Sequence, residues 1–276
     1  MNIKCVALDV DGTLLDDDHQ CSSENIAAIR EAHDKGIEIV LCTGRSPDST
    51  YPILKNDIGI QGTLITHNGA LTTDEHLKIV DECGFTIETV TQLVAYCREH
   101  AVQWDVNTAS DIFCEHVSDE GAEMYKKFFL EPKRIDNVFE LKDATILKFC
   151  CYGTISEMDQ LEKQFASLHL DKLGLRMIRS GDFFIDVIHS DVGKGHALKQ
   201  FVEQKGIKAE EVLAMGNYYN DLDMLQFAGL GIAVDNAPEE VKLSANEVTV
   251  SNNDNAVHTV LHQYILGNEV QAGKEK

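Results

Sequence analysis

Two aspartates two residues apart, in Asp9-Val10-Asp11-Gly12-Thr13, stand where the apolar run Cys5-Val6-Ala7-Leu8 stops. A carboxylate pair at this spacing can hold a divalent cation and divide the work of a reaction, one carboxylate attacking and the other carrying a proton. The apolar run reads as a first β-strand, and ligands of open α/β sheets bind beyond the carboxyl ends of their strands. The pair therefore points to an enzyme rather than to a solvated acidic turn.

Three more islands carry complementary groups, each at the end or start of a core element. Thr43-Gly44 offers a hydroxyl and a main-chain N–H, and the bare glycine lets a phosphoryl oxygen approach. Lys194, in Gly193-Lys194-Gly195, places a point charge at a helix start, where it can neutralise charge that develops on a phosphoryl group. Gly216-Asn217-Tyr218-Tyr219-Asn220-Asp221 supplies hard oxygen ligands of the kind Mg2+ prefers. Taken singly, these are a strand-end turn, a solvated lysine and a helix cap. Their order and shared placement at strand ends make phosphoryl transfer the reading that uses all of them.

The elements that must position these groups follow a strand, helix, strand rhythm. A helix capped at Ser23 carries Ile26, Ala27, Ile29, Arg30 and Ala32 at helical spacing and stops at Gly36. Strands follow at 37–42, ending on Thr43-Gly44-Arg45, and at 63–66, ending on His67-Asn68-Gly69. The pattern returns near the C-terminus: helix 194–205, strand 212–215, helix 222–228, strand 232–234 and helix 256–265. This is the signature of a parallel sheet with right-handed crossovers. Between about residues 84 and 189 the rhythm changes. Helices at 87–100, 121–129 and 156–168 alternate with short strands at 103–106, 112–114, 146–151, 176–178 and 183–187, which predicts an inserted α+β domain.

Bulk composition bounds the partners. The chain has 276 residues, 43% of them hydrophobic, and a net charge of -22 at pH 7. That acidity disfavours nucleic-acid phosphates and anionic membranes, and leaves small molecules and cations as partners. The eight cysteines are scattered through apolar segments and form no C-x2-C pair; Cys97 with His100 and Cys114 with His116 stand alone, so neither disulfides nor zinc are expected. The first twenty residues are crowded with Asp, unlike a secretory signal, and no apolar run suits a membrane helix, so a cytoplasmic protein is expected. An ATP-binding phosphate loop is excluded because Ile188 occupies the place of its leading glycine and no Ser or Thr follows Lys194. An EF-hand fails because Gly12 follows Asp11 directly.

Asp9-Val10-Asp11-Gly12-Thr13-Leu14, Leu41-Cys42-Thr43-Gly44-Arg45, Gly193-Lys194-Gly195-His196-Ala197-Leu198 and the 216–221 island resemble, in sequence order, the four motifs of the haloacid dehalogenase superfamily. The insert after the third strand resembles that of the Cof-type branch with its type IIB cap. The resemblance implies a Rossmann-like α/β core, residues 1–83 and 190–276, with an inserted α+β cap at 84–189. It implies a Mg2+-dependent phosphatase in which Asp9 attacks phosphorus and Asp11 protonates the leaving oxygen and then activates water. By the same resemblance Thr43, Lys194 and Asn220 hold phosphoryl oxygens, with help from the Val10 and Gly44 amides. The metal would meet Asp9, the Asp11 carbonyl and position 217, with Asp221 or Asp223 as further sources of charge. The family's usual residue at 217 is Asp; here it is Asn, one negative charge fewer. A phosphomutase or phosphotransferase, and a weakly turning phosphometabolite-binding protein, are the alternatives. The substrate is expected to be a small phosphorylated metabolite, with sugar phosphates, phosphorylated flavin precursors and pyridoxal phosphate all open. Trp104, Asn107, His116, Lys148 and Asp186 are the candidate selectors in the insert, and the assembly is expected to be a monomer or homodimer.

Overall fold

The computed structural model describes residues 2–127 and 130–267. In chain order its strands are β1 (Cys5–Leu8), β2 (Glu38–Cys42), β3 (Thr63–Thr66), β4 (Leu71–Thr73), β5 (Ile79–Glu82), β6 (Gln103–Asn107), β7 (Ile112–Cys114), β8 (Lys133–Arg134), β9 (Lys148–Tyr152), β10 (Leu175–Gly181), β11 (Phe184–His189), β12 (Val212–Gly216), β13 (Leu230–Ala233) and β14 (Glu247–Val248). The α-helices are α1 (Ser23–Asp34), α2 (Pro47–Pro52), α3 (Thr91–Glu99), α4 (Asp119–Lys127), α5 (Ile155–Ala166), α6 (Lys194–Gln204), α7 (Leu222–Phe227), α8 (Glu239–Ser244) and α9 (Ala256–Leu261). The contacts divide them into two units. One holds Thr50–Val80 with the stretches before Ser46 and from Gly193 onward; the other holds Ser46–Ser49 and Asp81–Val192.

The first unit is built on a sheet of order β14-β13-β12-β1-β2-β3-β4-β5, parallel from β14 through β3 and antiparallel at β3–β4. Both faces are covered, because alternate side chains of each central strand enter different apolar layers. Val6, Leu8, Ile39, Leu41, Leu213 and Met215 pack with Ala28 and Ile29 of α1 and Val257 and Val260 of α9. Cys5, Ala7, Val40, Cys42, Val212 and Ala214 pack with Leu198 and Phe201 of α6 and Met224 of α7. Each fully buried aliphatic side chain contributes about 1.5–3 kcal/mol. This three-layer sandwich fixes β1, β2, β3 and β12 side by side, so their carboxyl ends form one row.

Ser22, not Ser23, caps α1: its hydroxyl accepts from Asn25 N at 3.1 Å. Helix register decides between the two serines, since starting at Ser23 turns Ala28, Ile29 and Ala32 inward and leaves Ala27 outside. The segment expected as one helix over 87–100 divides into a 3-10 turn, Ile87–Val90, and α3. Likewise 256–265 divides into α9 and a wider π turn, His262–Leu266. The helix expected over 121–129 begins earlier, at Asp119, and its last two positions lie outside the described residues.

The second unit has a sheet of order β10-β11-β9-β6-β7-β8, antiparallel except for β7–β8. Trp104, Val106, Phe149, Cys151, Ile185 and Val187 line one face and pack with Leu93, Val94 and Cys97 of α3 and Met158, Leu161 and Phe165 of α5. The opposite face carries Asp105, Asn107, Lys148, Cys150 and Asp186 in adjacent register positions. All eight cysteines are free thiols, six of them buried. Among the described residues no helix is long and apolar enough to cross a membrane.

Candidate active site

Asp9 is the first residue beyond β1, tied to the neighbouring strand by its N–H, which donates to the Met215 carbonyl at 3.0 Å. It is 5% exposed. Lys194, the first residue of α6 and 1% exposed, reaches across so that Nζ donates to Asp9 Oδ1 at 2.7 Å and to Asp221 Oδ1 at 2.6 Å. Lys194, expected as a charge at a helix start, is a side chain sealed among carboxylates rather than a solvated one. Two carboxylates share one ammonium, and that arithmetic shapes the electrostatics. Burial, and then the charge of Asp221, push the Asp9 carboxyl up to about 7 against the pull of Lys194. Burial opposes the charged form of Lys194 too, but its two carboxylate partners prevail and raise it further above its ordinary value.

Asp221 is fully buried, and both of its oxygens are engaged. Oδ1 takes Lys194, while Oδ2 accepts from the Asn217 N–H at 2.8 Å and the Tyr218 N–H at 3.0 Å. This carboxylate holds the lysine and shapes the loop after β12, so the expectation of Asp221 as a metal ligand meets a group already filled by three donors. Asp223 has one oxygen turned back on its own helix, where it accepts from Met224 N at 2.9 Å.

The other oxygen of Asp9 faces a different set. One terminal atom of the Asn217 amide lies 3.1 Å from Asp9 Oδ2 and 3.1 Å from the Asp11 carbonyl oxygen. With the amide oxygen in that place, its two separations match the distance between adjacent oxygens around Mg2+, about 3 Å for bonds of 2.0–2.1 Å. The donor set of one carboxylate, one carbonyl and one amide therefore fits a hard divalent cation. Among the described residues no three His, Cys, Asp or Glu side chains gather as a metal site. Gly12 makes the set possible: at φ +77 it turns the chain under Asn217, and a Cβ there would lie 2.4 Å from the amide.

The Asp11 carboxylate points elsewhere. Arg45 grips it through both oxygens, Nε to Oδ2 at 2.7 Å and Nη2 to Oδ1 at 2.5 Å, and His19 Nδ1 lies 3.4 Å from Oδ1. Burial works to raise its pKa, but the hydrogen bonds from His19 and Arg45 and the guanidinium charge outweigh it and hold the carboxyl well below the ordinary range. Thr43 is buried, its N–H donating to Ile65 O at 2.8 Å and its hydroxyl accepting from Arg45 N at 3.1 Å. Val10 serves the turn through its carbonyl, which accepts from Leu14 and Leu15, and its side chain is buried in the core.

Asn220 Nδ2 donates to Asn68 Oδ1 at 3.0 Å, and the same oxygen stands 3.1 Å from where a Gly44 Cβ would be. Gly44 is bare because Asn68 occupies that space. Asn68 and Arg45 are the residues sequence reasoning did not assign. Asn68, at φ 58, is in the left-handed conformation that Asn tolerates better than most residues, and an Asn-Gly pair one residue beyond a strand was its only signal.

In the second unit the expected selectors separate. Asn107 donates to Asp105 Oδ1 at 2.5 Å, Tyr125 OH donates to Asp105 Oδ2 at 2.7 Å, and Lys148 Nζ lies 3.4 Å from Asp186 Oδ1. Burial raises the Asp105 carboxyl to about 6. Trp104 is instead part of the apolar face, stacked on Phe149 at 5.2 Å, and His116 is exposed beyond β7.

The profile of the haloacid dehalogenase-like hydrolases matches residues 6–261. YxeH of Bacillus subtilis (strain 168), whose name carries a phosphatase designation, is 32% identical over 95% of this chain and 98% of its own length. The 5-amino-6-(5-phospho-D-ribitylamino)uracil phosphatase YwtE of the same organism is 29% identical over 96% of this chain and 99% of its own. A solved haloacid dehalogenase-like hydrolase of B. subtilis superposes with a TM-score of 0.86 at 24% identity, covering 95% of this chain and all of that one, which is a likeness of fold.

Proposed function

The chain belongs to the haloacid dehalogenase-like hydrolases, and from that premise we propose that it hydrolyses a small phosphomonoester through a phosphoryl group carried on Asp9, with Mg2+ held by Asp9, the Asp11 carbonyl and Asn217. The observation that carries this reading is the divided environment of Asp9, with Oδ1 on Lys194 and Oδ2 toward the Asp11 carbonyl and Asn217. When bound, the cation offsets negative charge on Asp9 and on the phosphoryl oxygens. Oδ1 is then the attacking atom, kept ionised by Lys194. It forms a bond to phosphorus as the ester P–O bond breaks, and the leaving oxygen takes its proton from the Asp11 carboxyl. In the second half Asp11, now ionised, accepts a proton from water; the water oxygen bonds to phosphorus, and the Asp9 O–P bond breaks to release phosphate. The Thr43 hydroxyl, the Gly44 N–H and Asn220 are suited to hold the phosphoryl oxygens, and Lys194 spans attacking atom and scaffold. Arg45 must yield Asp11 before that carboxyl can carry a proton.

For the substrate, the name of YwtE supports a phosphate ester on a polyhydroxylated chain. The acids, amide and amine on the polar face of the β6-β9-β11 sheet are the donor and acceptor types that hydroxyl groups require. The test is a hydrolysis screen over phosphorylated metabolites with Mg2+, together with acid-quenched phosphopeptide mapping. Wild-type chain should release phosphate and carry label on the peptide containing Asp9, and Asp9→Asn should do neither. Turnover by Asp9→Asn at even a tenth of the wild-type rate would refute the covalent route. The neutral Asn217 favours one second reading, a phosphometabolite binder with little turnover; tight binding without phosphate release across the screen would select it.

A further inference from the structure

Asn217 is more closely fitted to its place than a weakened metal ligand needs to be. Its main-chain N–H is fixed on Asp221 Oδ2 at 2.8 Å, so the loop is held and the remaining variable is the torsion of the side-chain amide. One terminal amide atom faces Asp9 Oδ2 and the Asp11 carbonyl at 3.1 Å each, and Thr13 Oγ1 stands 3.4 Å from the same atom. The other terminal atom packs over Gly12. Asp9 Oδ2 and Asp11 O are both acceptors. An NH2 group between them donates a hydrogen bond to each; an oxygen between them faces two acceptors, with only the Thr13 hydroxyl at 3.4 Å to donate to it, unless a cation joins the three. A half-turn about the last side-chain bond exchanges the two arrangements, and that torsion is two-fold and soft.

Resting on the metal reading given above, we propose that Asn217 is a reversible stand-in for the cation. In the metal-free protein its NH2 bridges Asp9 Oδ2 and the Asp11 carbonyl. Metal uptake turns the amide by half a rotation, so that Oδ1 becomes a ligand and the two acceptors are passed to the ion. An aspartate at 217 cannot do this, because it has no donor and sets a second negative charge against Asp9. Asparagine therefore gives up cation affinity and gains a metal-free site whose polar groups are satisfied.

The experiment uses full-length chain labelled with nitrogen-15 at asparagine side chains, in EDTA and then across a Mg2+ titration, with calorimetry in parallel. In EDTA one side-chain NH2 pair, identified by its loss in Asn217→Asp, should exchange slowly with solvent. Mg2+ should shift that pair and release its protection at the stoichiometry calorimetry records. Asn217→Asp should bind Mg2+ about tenfold more tightly or better and should melt several degrees below wild type in EDTA, with a larger gain on adding Mg2+. Mg2+ binding that leaves the Asn217 NH2 pair unmoved, or an Asn217→Asp chain as stable as wild type in EDTA, would overturn the stand-in while leaving the metal reading intact. Absence of Mg2+ binding by both chains would overturn the metal reading itself, and the stand-in with it.

Discussion

Asp9 and Asp11 are near neighbours in sequence, yet the structure drives their protonation in opposite directions. Asp9, raised to about 7 from an ordinary 3.8, holds its proton to higher pH in the metal-free fold than in the unfolded chain. Stability from this group is therefore greatest below about pH 4 and declines as pH rises toward 7. In EDTA, the melting temperature of Asp9→Asn should exceed that of wild type by an amount that grows over this interval; a difference independent of pH would show that Asp9 is not strained by its burial. Asp11 is held ionised by Arg45 and His19. Arg45→Met should let its pKa climb toward the ordinary carboxylate value, so the acid limb of phosphoenzyme breakdown should move up by about one pH unit or more. Rapid-quench measurement of that step as a function of pH checks it, and an unmoved limb would mean that Arg45 does not govern Asp11. The chemical identities of these groups could be read from the sequence, but their partners could not. Arg45 was visible after Thr43-Gly44, yet nothing in one dimension shows that it folds back on a carboxylate thirty-four positions earlier.

The elements that place these residues were legible where a strand or helix had an apolar pattern of its own. β1, β3 and α6 emerge from such patterns within a residue or so. The strands β4, β5, β8 and β14 and the short helices α2 and α8 were not expected, because each is only two to six residues long and draws its definition from neighbours rather than from periodicity. Close approaches between elements are similarly silent in sequence. Gly195 in the first turn of α6 sits so near the start of α7 that a Cβ would lie 2.4 Å from the carbonyl carbon and oxygen of Asp223. Main chain cannot yield as a flexible side chain can. Gly195→Ala should force α6 and α7 apart, costing about 1–3 kcal/mol of stability and, by displacing the adjacent Lys194, about a hundredfold in kcat/KM. Thermal melting and steady-state kinetics test the two halves, and a fully active Gly195→Ala chain would show that Lys194 is not positioned by this contact.

At the scale of the molecule, each unit has an apolar core of its own, and the insert contributes a complete sheet with helices on one face. Replacing residues 81–192 with a short Gly-Ser linker should leave a cooperative core that still hydrolyses small aryl phosphates, while the preference among metabolite esters collapses. A core that retained the wild-type ranking of esters would count against the insert as the source of selectivity. The same layout has a consequence for synthesis on the ribosome. β1 lies between β2 and β12, so its second edge is closed only by residues 212–216. Until those residues emerge, the nascent chain carries a half-built sheet with an open, fully apolar β1 edge, the kind of surface that invites pairing with other chains. The insert, a compact unit of residues 81–192 with the short Ser46–Ser49 segment, has left the tunnel by then and can fold first. Pauses in translation that leave the insert outside and residues 193–216 still within the tunnel are therefore the interval in which this chain depends most on chaperones.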